Sequence, residues 1–334
     1  MYSDRKPLYK RLEQARNSRL LVYITGDRPN LETQIHPEVL DLFIHHLDII
    51  GVTKKISLFL YTRGGNTLAS WSIANLIRQF CDEFEVIVSS KAHSGGTLIC
   101  LGANTIVMTK QATLGPIDPS VNGPLNPQIA GAPPTARVPV SVEAINGFVS
   151  FAKEQLSINS GSDLTNVLIT LSNHVHPLVL GEVYRTRAQI RMLAERLLKQ
   201  QITDKEMIPK ILDFLCSESG SHDYTIYRRE ARDDLGLNIE KPTDDLYSLI
   251  KQIYDNIAQE LELGVPYSPA LSLGAEKSVN YKWRRGLVES QVGGSHCFIS
   301  EGKLTRRQIP MGPQMIQEGI EDTRLFEGWR FCNE

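Results

Sequence analysis

Between residues 20 and 108 the chain repeats one pattern, a short aliphatic run, a glycine-bearing turn and a stretch with helical spacing, and no other feature constrains the fold as much. Leu20-Leu21-Val22-Tyr23-Ile24 ends at Thr25-Gly26-Asp27, and Val39, Leu40, Leu42, Phe43, Leu47 and Ile50 then recur at helical intervals. The order returns with a strand over 56–61, the turn Thr62-Arg63-Gly64-Gly65-Asn66 and a helix over 68–80. It returns again with Val86-Ile87-Val88, a turn around Ser94, an apolar helix from Thr97 to about Ala103 and a fourth strand, Thr105-Ile106-Val107-Met108. Strands alternating with helices predict an α/β fold: a mainly parallel sheet with right-handed crossovers and helices on its faces.

The texture changes from Gly115 to Pro139, where seven prolines predict a long irregular loop. Helical spacing resumes over 142–156, over 178–201 with arginines on its polar side, and over 244–263. Strand-like pieces at 286–290 and 296–299 follow. The reading divides the chain into an N-terminal segment (1–18), a core (19–240) and a C-terminal extension (241–334), the last expected as an appendage that pairs with a partner or a neighbouring subunit.

With 36 basic against 38 acidic residues, the formal charge of −2 gives no global field for nucleic acid or an anionic membrane. No apolar run approaches the roughly 18–20 residues that cross a bilayer, and the charged N-terminus lacks the apolar centre of a signal peptide. The five cysteines are scattered and have no CxxC spacing, so neither a metal site nor a disulfide framework is expected, and a cytoplasmic protein with reduced thiols is. No cofactor is implied.

The candidate chemistry centres on Lys91-Ala92-His93-Ser94-Gly95-Gly96. A serine hydroxyl attacks only when a base removes its proton and donors stabilise the oxyanion. Ser94 falls between a strand and an apolar helix, and the glycines after it let backbone amides face a developing charge without a Cβ in the way. The turn holding Gly64 and Gly65 ends the preceding strand, and in a parallel sheet both turns lie at the carboxyl edge, where ligands collect. Amides of Gly64 or Gly65 and of Gly95 are therefore candidate oxyanion donors, while a plain tight turn is the competing reading of the glycine pair.

Taken together, Arg63-Gly64-Gly65-Asn66, Ala92-His93-Ser94-Gly95-Gly96-Thr97 and Leu114-Gly115-Pro116-Ile117-Asp118-Pro119 resemble the serine dehydrogenase proteinase family, as does the later Ser221-His222-Asp223-Tyr224 segment. That family is similar to signal peptide peptidase A and the Clp proteolytic subunit, and the resemblance covers roughly residues 19–240. It implies a Clp/crotonase fold, a serine peptidase acting through a Ser94 acyl-enzyme, oxyanion donors at Gly64, Gly65 and Gly95, a peptide or protein substrate, and a homo-oligomer.

The base is where this sequence departs from the pattern. The Clp proteolytic subunit has its histidine shortly after the strand matching 105–108, a place without histidine here. Signal peptide peptidase A uses a lysine before its last long helix, where this chain has His174-Val175-His176-Pro177. His176 is accordingly the leading base, with Lys153, His222, His174 and His93 as alternatives. Asp118 is either an orienting carboxylate or the anchor of a proline turn. His36, His45, His46 and His296 are expected to be structural or exposed. Two other readings share these features: a catalytically inactive assembly or binding module of the same fold, and a crotonase-type acyl-CoA enzyme.

Overall fold

A computed structural model describes the chain except residues 119, 134, 219–220, 222, 311–315 and 333–334. It forms two compact units, Met1–Leu114 with Ile226–Glu334, and Gly115–Thr225. In the first unit the chain runs α1 (Tyr2–Arg16), β1 (Arg19–Thr25), α2 (Leu40–Ile50), β2 (Thr53–Thr62), α3 (Thr67–Arg78), β3 (Cys81–Ala92), α4 (Gly95–Leu101), β4 (Thr105–Met108) and β5 (Thr113–Leu114). The second unit holds the two-residue pair β6 (Ser120–Val121) and β7 (Val140–Ser141), then α5 (Val142–Ser150), α6 (Gly161–Ser172), α7 (Pro177–Leu198) and α8 (Met207–Asp213). Back in the first unit come β8 (Ile226–Tyr227), α9 (Arg228–Asp233), β9 (Ile239–Glu240), α10 (Asp244–Glu260), α11 (Pro269–Leu273), β10 (Ser278–Ser290), β11 (Gly294–Pro310) and β12 (Ile316–Phe331).

One sheet organises the first unit, in the order β12-β11-β10-β1-β2-β3-β4-β9, with β1, β2, β3, β4 and β9 parallel. Both faces are covered, which is why β1 reads as an unbroken apolar run rather than an alternating one. Leu20, Val22 and Ile24 pack with Tyr9 and Leu12 of α1 and with Ile250 and Ile253 of α10. Tyr23 points the other way and meets Phe43 of α2 edge-on at 5.2 Å.

The sheet departs from the sequence reading in two places. Residues 241–334 supply α10 and three of its strands, because β10 pairs antiparallel with β1, from Leu21↔Ser290 to Thr25↔Gly286. The pairing partner of this region is thus the chain itself, and the otherwise open edge of β1 is closed. β3 also runs from Cys81 to Ala92, far beyond the three residues 86–88, since the charges that disguise it are neutralised in place. Glu85, fully buried, receives hydrogen bonds from Arg16 Nε (3.0 Å) and Ser57 Oγ (2.7 Å) and lies 2.9 Å from Lys55 Nζ. Burial alone would raise this carboxyl, but these partners outweigh it and hold the group below its ordinary value. In the second unit, α6 is a helix that its weak spacing does not announce, and none of its residues is buried.

A buried charge network fastens α1 to the C-terminal strands. Arg5 is fully buried, with Nη2 2.5 Å from Glu289 Oε1, Nη1 2.5 Å from Glu260 Oε2 and Nη1 2.8 Å from Asn256 Oδ1. Tyr9 OH and Ser295 Oγ complete the shell of Glu289. On the other side of the sheet His46 is equally buried, with Nδ1 2.8 Å from Ser290 Oγ and Nε2 3.0 Å from His296 Nδ1. Ser290 Oγ also accepts the Gly293 amide at 2.9 Å, which ties the ring pair to the turn between β10 and β11. Burial, then the neighbouring His296 and His45 rings, push His46 down to about 3.

Among the described residues no helix is long and apolar enough to cross a membrane.

Arg5→Ala leaves Glu289 and Glu260 without their shared cation and is expected to cost about 3–5 kcal/mol in denaturant unfolding; a loss below about 1 kcal/mol would show that the network contributes little. Because His46 is neutral when folded and titrates near 6.5 when unfolded, its contribution is present above pH 6.5 and lost between about 6.5 and about 3. The urea midpoint of His46→Gln should fall less steeply over that interval than that of the parent chain.

Candidate active site

Two strand-to-helix turns meet at the carboxyl edge of the sheet. Asn66 starts α3 by accepting the Ala69 amide on its side chain at 2.8 Å, and the Gly64-Gly65 turn before it is pinned to the chain at Ile35. Ile35 N–H donates to Gly64 O at 2.9 Å, and Asn66 N–H to Ile35 O at 2.8 Å. Gly64 and Gly65 have φ of 109° and 146°, values that only glycine adopts without strain. A Cβ on Gly64 would stand 2.7 Å from that of Ser94 and 2.8 Å from His93 O, and one on Gly95 would collide with Ser70 Oγ.

Ser94 is itself held in an unfavourable backbone conformation, φ 51° and ψ −115°, outside even the left-handed helical well. Such a conformation costs of order 1–3 kcal/mol and persists only when the surroundings impose it. Here the imposition begins in β3. Its register with β2 passes from Leu60↔Val88 to Thr62↔Ala92, two residues facing four, and Thr109 Oγ1 caps the extra length by donating to Ser89 O at 2.7 Å. Beyond the bulge β3 pairs with β5 (Lys91↔Thr113, Ala92↔Leu114), which carries it past the end of β4. His93 N–H then donates to Thr62 O (3.1 Å), Gly96 N–H to His93 O (2.8 Å) and Thr97 Oγ1 to Ala92 O (2.8 Å).

Counting donors separates the three candidate glycines. The Gly64 amide is spent on Thr62 Oγ1 at 2.9 Å. The Gly65 and Gly95 amides donate to no group among the described residues, and they are near neighbours: a Cβ on Gly95 would lie 3.4 Å from Gly65 N. Gly95 is moreover the first residue of α4, whose leading amides have no partner within the helix. Two unspent N–H groups beside a strained, half-buried serine can stabilise an oxyanion.

Ser94 Oγ has no hydrogen-bond partner among the described residues. The His93 ring turns to β5, with Nε2 2.8 Å from Thr113 Oγ1. Thr113 Oγ1 also lies 3.4 Å from Ser90 O. Lys153, His174, His176 and Asp118 belong to the second unit. Lys153 is exposed, in a π-helical turn that prolongs α5, and His174 is exposed. His176 caps α7, its Nδ1 accepting the Leu178 amide at 3.2 Å, so that in the neutral ring the proton sits on Nε2. Asp118 acts on Glu143: burial raises that carboxyl, Arg187 lowers it and the Asp118 charge raises it further. His222 falls outside the described residues.

The sequence reading passes over a second polar group of the first unit. Lys91 Nζ lies 2.8 Å from Asp27 Oδ2, and Tyr61 OH donates to Asp27 Oδ1 at 2.6 Å. Its three members follow or end neighbouring strands, and the edge position of all three was the available signal. Cys100 on α4 is the thiol nearest in sequence to Ser94, and burial pushes it well above its ordinary value, so it stays protonated. Among the described residues no group of three or more His, Cys, Asp or Glu side chains is arranged to hold a metal ion.

Comparison with known proteins finds a family match over part of the chain. Residues 44–137, which carry Gly64, Gly65, Ser94 and Gly95, match the family described as ClpP-like SDH-type serine proteinase, and the resemblance read from the sequence holds there. Two uncharacterized proteins of Methanocaldococcus jannaschii are similar: one is 30% identical over 199 residues (59% of this chain, 58% of the relative), the other 27% over 216 residues (64% and 63%). The chain thus spans about three fifths of the length of these relatives. Among solved structures, a mutant of the 1510-N membrane-bound stomatin-specific protease aligns at 17% identity over 70% of this chain and 85% of that one, with a TM-score of 0.37. A ClpP1 mutant from Listeria monocytogenes aligns at 17% identity over 70% and 99%, also with a TM-score of 0.37.

Ser94→Gly relieves a conformation that only glycine tolerates and should stabilise the chain by about 1 kcal/mol in thermal or denaturant unfolding. Gly64→Ala should destabilise it by more than that amount, through the collision with Ser94. If Ser94→Gly proved neutral or destabilising, the backbone at that position would not be strained.

Proposed function

We propose that this chain, similar over residues 44–137 to ClpP-like SDH-type serine proteinases, is a serine peptidase that cleaves peptide bonds through a Ser94 acyl-enzyme. The observation that carries the reading is the pairing of a strained serine, at a strand-to-helix turn, with two unspent amides at Gly65 and Gly95. Attack by Ser94 Oγ on the substrate carbonyl turns its oxygen into an oxyanion, which the Gly65 and Gly95 N–H groups receive. Collapse of that intermediate expels the amine and leaves an ester on Ser94, and water attacks the ester through a second oxyanion in the same place. Holding the serine in advance means that no backbone adjustment accompanies attack.

His176 is the proposed base. Its lone pair is the Nδ1 pair that accepts the Leu178 amide, so taking the Ser94 proton requires that cap to open and the ring to present a free nitrogen. The resting arrangement is therefore a low-activity one, and substrate or self-association would release it. Self-association is supported by α6, which has no buried residue and leaves Leu168 56% and Ile169 54% exposed.

Among the described residues no base is hydrogen-bonded to Ser94, which favours a second reading, an inactive binding module of the same fold. Labelling by a fluorophosphonate separates the two. Under the peptidase reading the protein is labelled, Ser94→Ala abolishes labelling, and His176→Ala slows it roughly 10²-fold or more. A folded protein that resists labelling would favour the binding module; rapid labelling of His176→Ala with slow labelling of Lys153→Ala would transfer the role to Lys153.

A further inference from the structure

The strand ends that frame Ser94 carry an uneven set of charges. Asp27 follows β1, Arg63 follows β2, Lys91 ends β3 with Ala92, Lys110 follows β4, and Arg228 opens α9 directly after β8. Asp27 is already neutralised, with Lys91 on one carboxylate oxygen and the Tyr61 hydroxyl on the other. Lys110 Nζ rests 4.6 Å above the Tyr247 ring, and Arg228 Nη1 donates to Met108 O at 3.3 Å; neither has a carboxylate partner among the described residues. Arg63 is exposed and makes neither an ion pair nor a hydrogen bond among the described residues. It immediately precedes Gly64, the residue whose backbone comes within Cβ-clash distance of Ser94. Its place is fixed by its neighbours, since Thr62 and Gly64 are both tied into the turn, yet its guanidinium is uncommitted.

We propose that this rim selects acidic peptides, and that Arg63 is the specificity-determining residue, engaging a substrate carboxylate beside the bond that Ser94 attacks. An exposed guanidinium costs nothing to keep in water. A peptide lying across the turn partly desolvates it, and a carboxylate then offers two oxygens in the plane of its fork. Lys110 and Arg228 add a field of the same sign along the edge without competing for that position, which raises the local concentration of an anionic chain. The carboxylate can come from a Glu or Asp side chain or from a peptide C-terminus, which present the same group. The inference takes its location from the peptidase reading of Ser94.

The test uses the full chain carrying Ser94→Ala, so that binding is read without turnover. Three fluorescent peptides of equal length are compared by polarisation at low and high salt: a Glu-containing peptide with an amidated end, a neutral peptide with an amidated end, and a neutral peptide with a free C-terminus. The Glu-containing peptide is expected to bind roughly tenfold or more tighter than its neutral counterpart, with the advantage shrinking as salt rises. Tight binding of the free-terminus peptide instead would identify the C-terminal carboxylate as the group recognised. Adding Arg63→Ala should erase the preference and Arg63→Lys retain part of it, because a point charge keeps the attraction and loses the fork. Equal binding of all three peptides, no binding of any, or a preference that survives Arg63→Ala would overturn the inference. Fluorophosphonate labelling of the unsubstituted chain is read alongside: failure to label with an intact, Arg63-dependent acidic preference removes the peptidase reading and leaves this one standing.

Discussion

The close approach of two backbones, Gly64-Gly65 against Ser94-Gly95, is the constraint on which the rest of the molecule depends. It admits no Cβ on Gly64, and it brings the Gly65 and Gly95 amides near one another with no acceptor among the described residues. Each turn is the end of a parallel strand, so their separation is set by sheet pairing and by how far each strand runs before turning. The bulge in β3 and its handover from β4 to β5 extend the strand to the point where its turn meets that of β2. A regular β3 would not deliver Ser94 to the same place.

Strain of this kind needs a stiff frame, and the frame is closed by charge as much as by apolar packing. Arg5, Tyr9, Glu289 and Glu260 join the first helix to α10 and β10, while Arg16, Lys55, Glu85 and Ser57 join it to β2 and β3. Buried ion pairs add little net stability compared with apolar contacts of the same volume, but breaking one is costly and their geometry is specific. They fix which way α1 lies on the sheet, and with it the register of β10 against β1. The terminal regions of the chain thus brace the sheet from which both turns emerge.

At the site, hydrogen-bond accounting says more than residue identity. Of the three glycines, Gly64 has spent its amide within its own turn, and it serves by lacking a side chain; Gly65 and Gly95 keep theirs among the described residues. The same accounting shows how the histidines stand. His93 is turned to Thr113, and His176 uses its lone pair to cap α7.

What the sequence determined by itself was the local and periodic content. The aliphatic runs at 20–24, 56–61 and 105–108 became β1, β2 and β4, since each is buried on both faces and needs no distant residue to declare it. Ser94, Gly64 and Gly65 were legible because turn chemistry and family resemblance concern neighbouring residues. Only the tertiary structure decided what depends on partners remote in sequence. The N-terminal part of β3 was hidden by glutamates that become tolerable once Arg16 and Lys55 arrive from α1 and β2. The C-terminal strands looked like an appendage because β1, the edge they close, lies about 270 residues away in the chain. Which amides are free, and which imidazoles are engaged, follows from hydrogen bonds that no spacing encodes. Sequence sets what each segment can form; long-range pairing sets which donors and lone pairs are left over, and those remainders carry the chemistry.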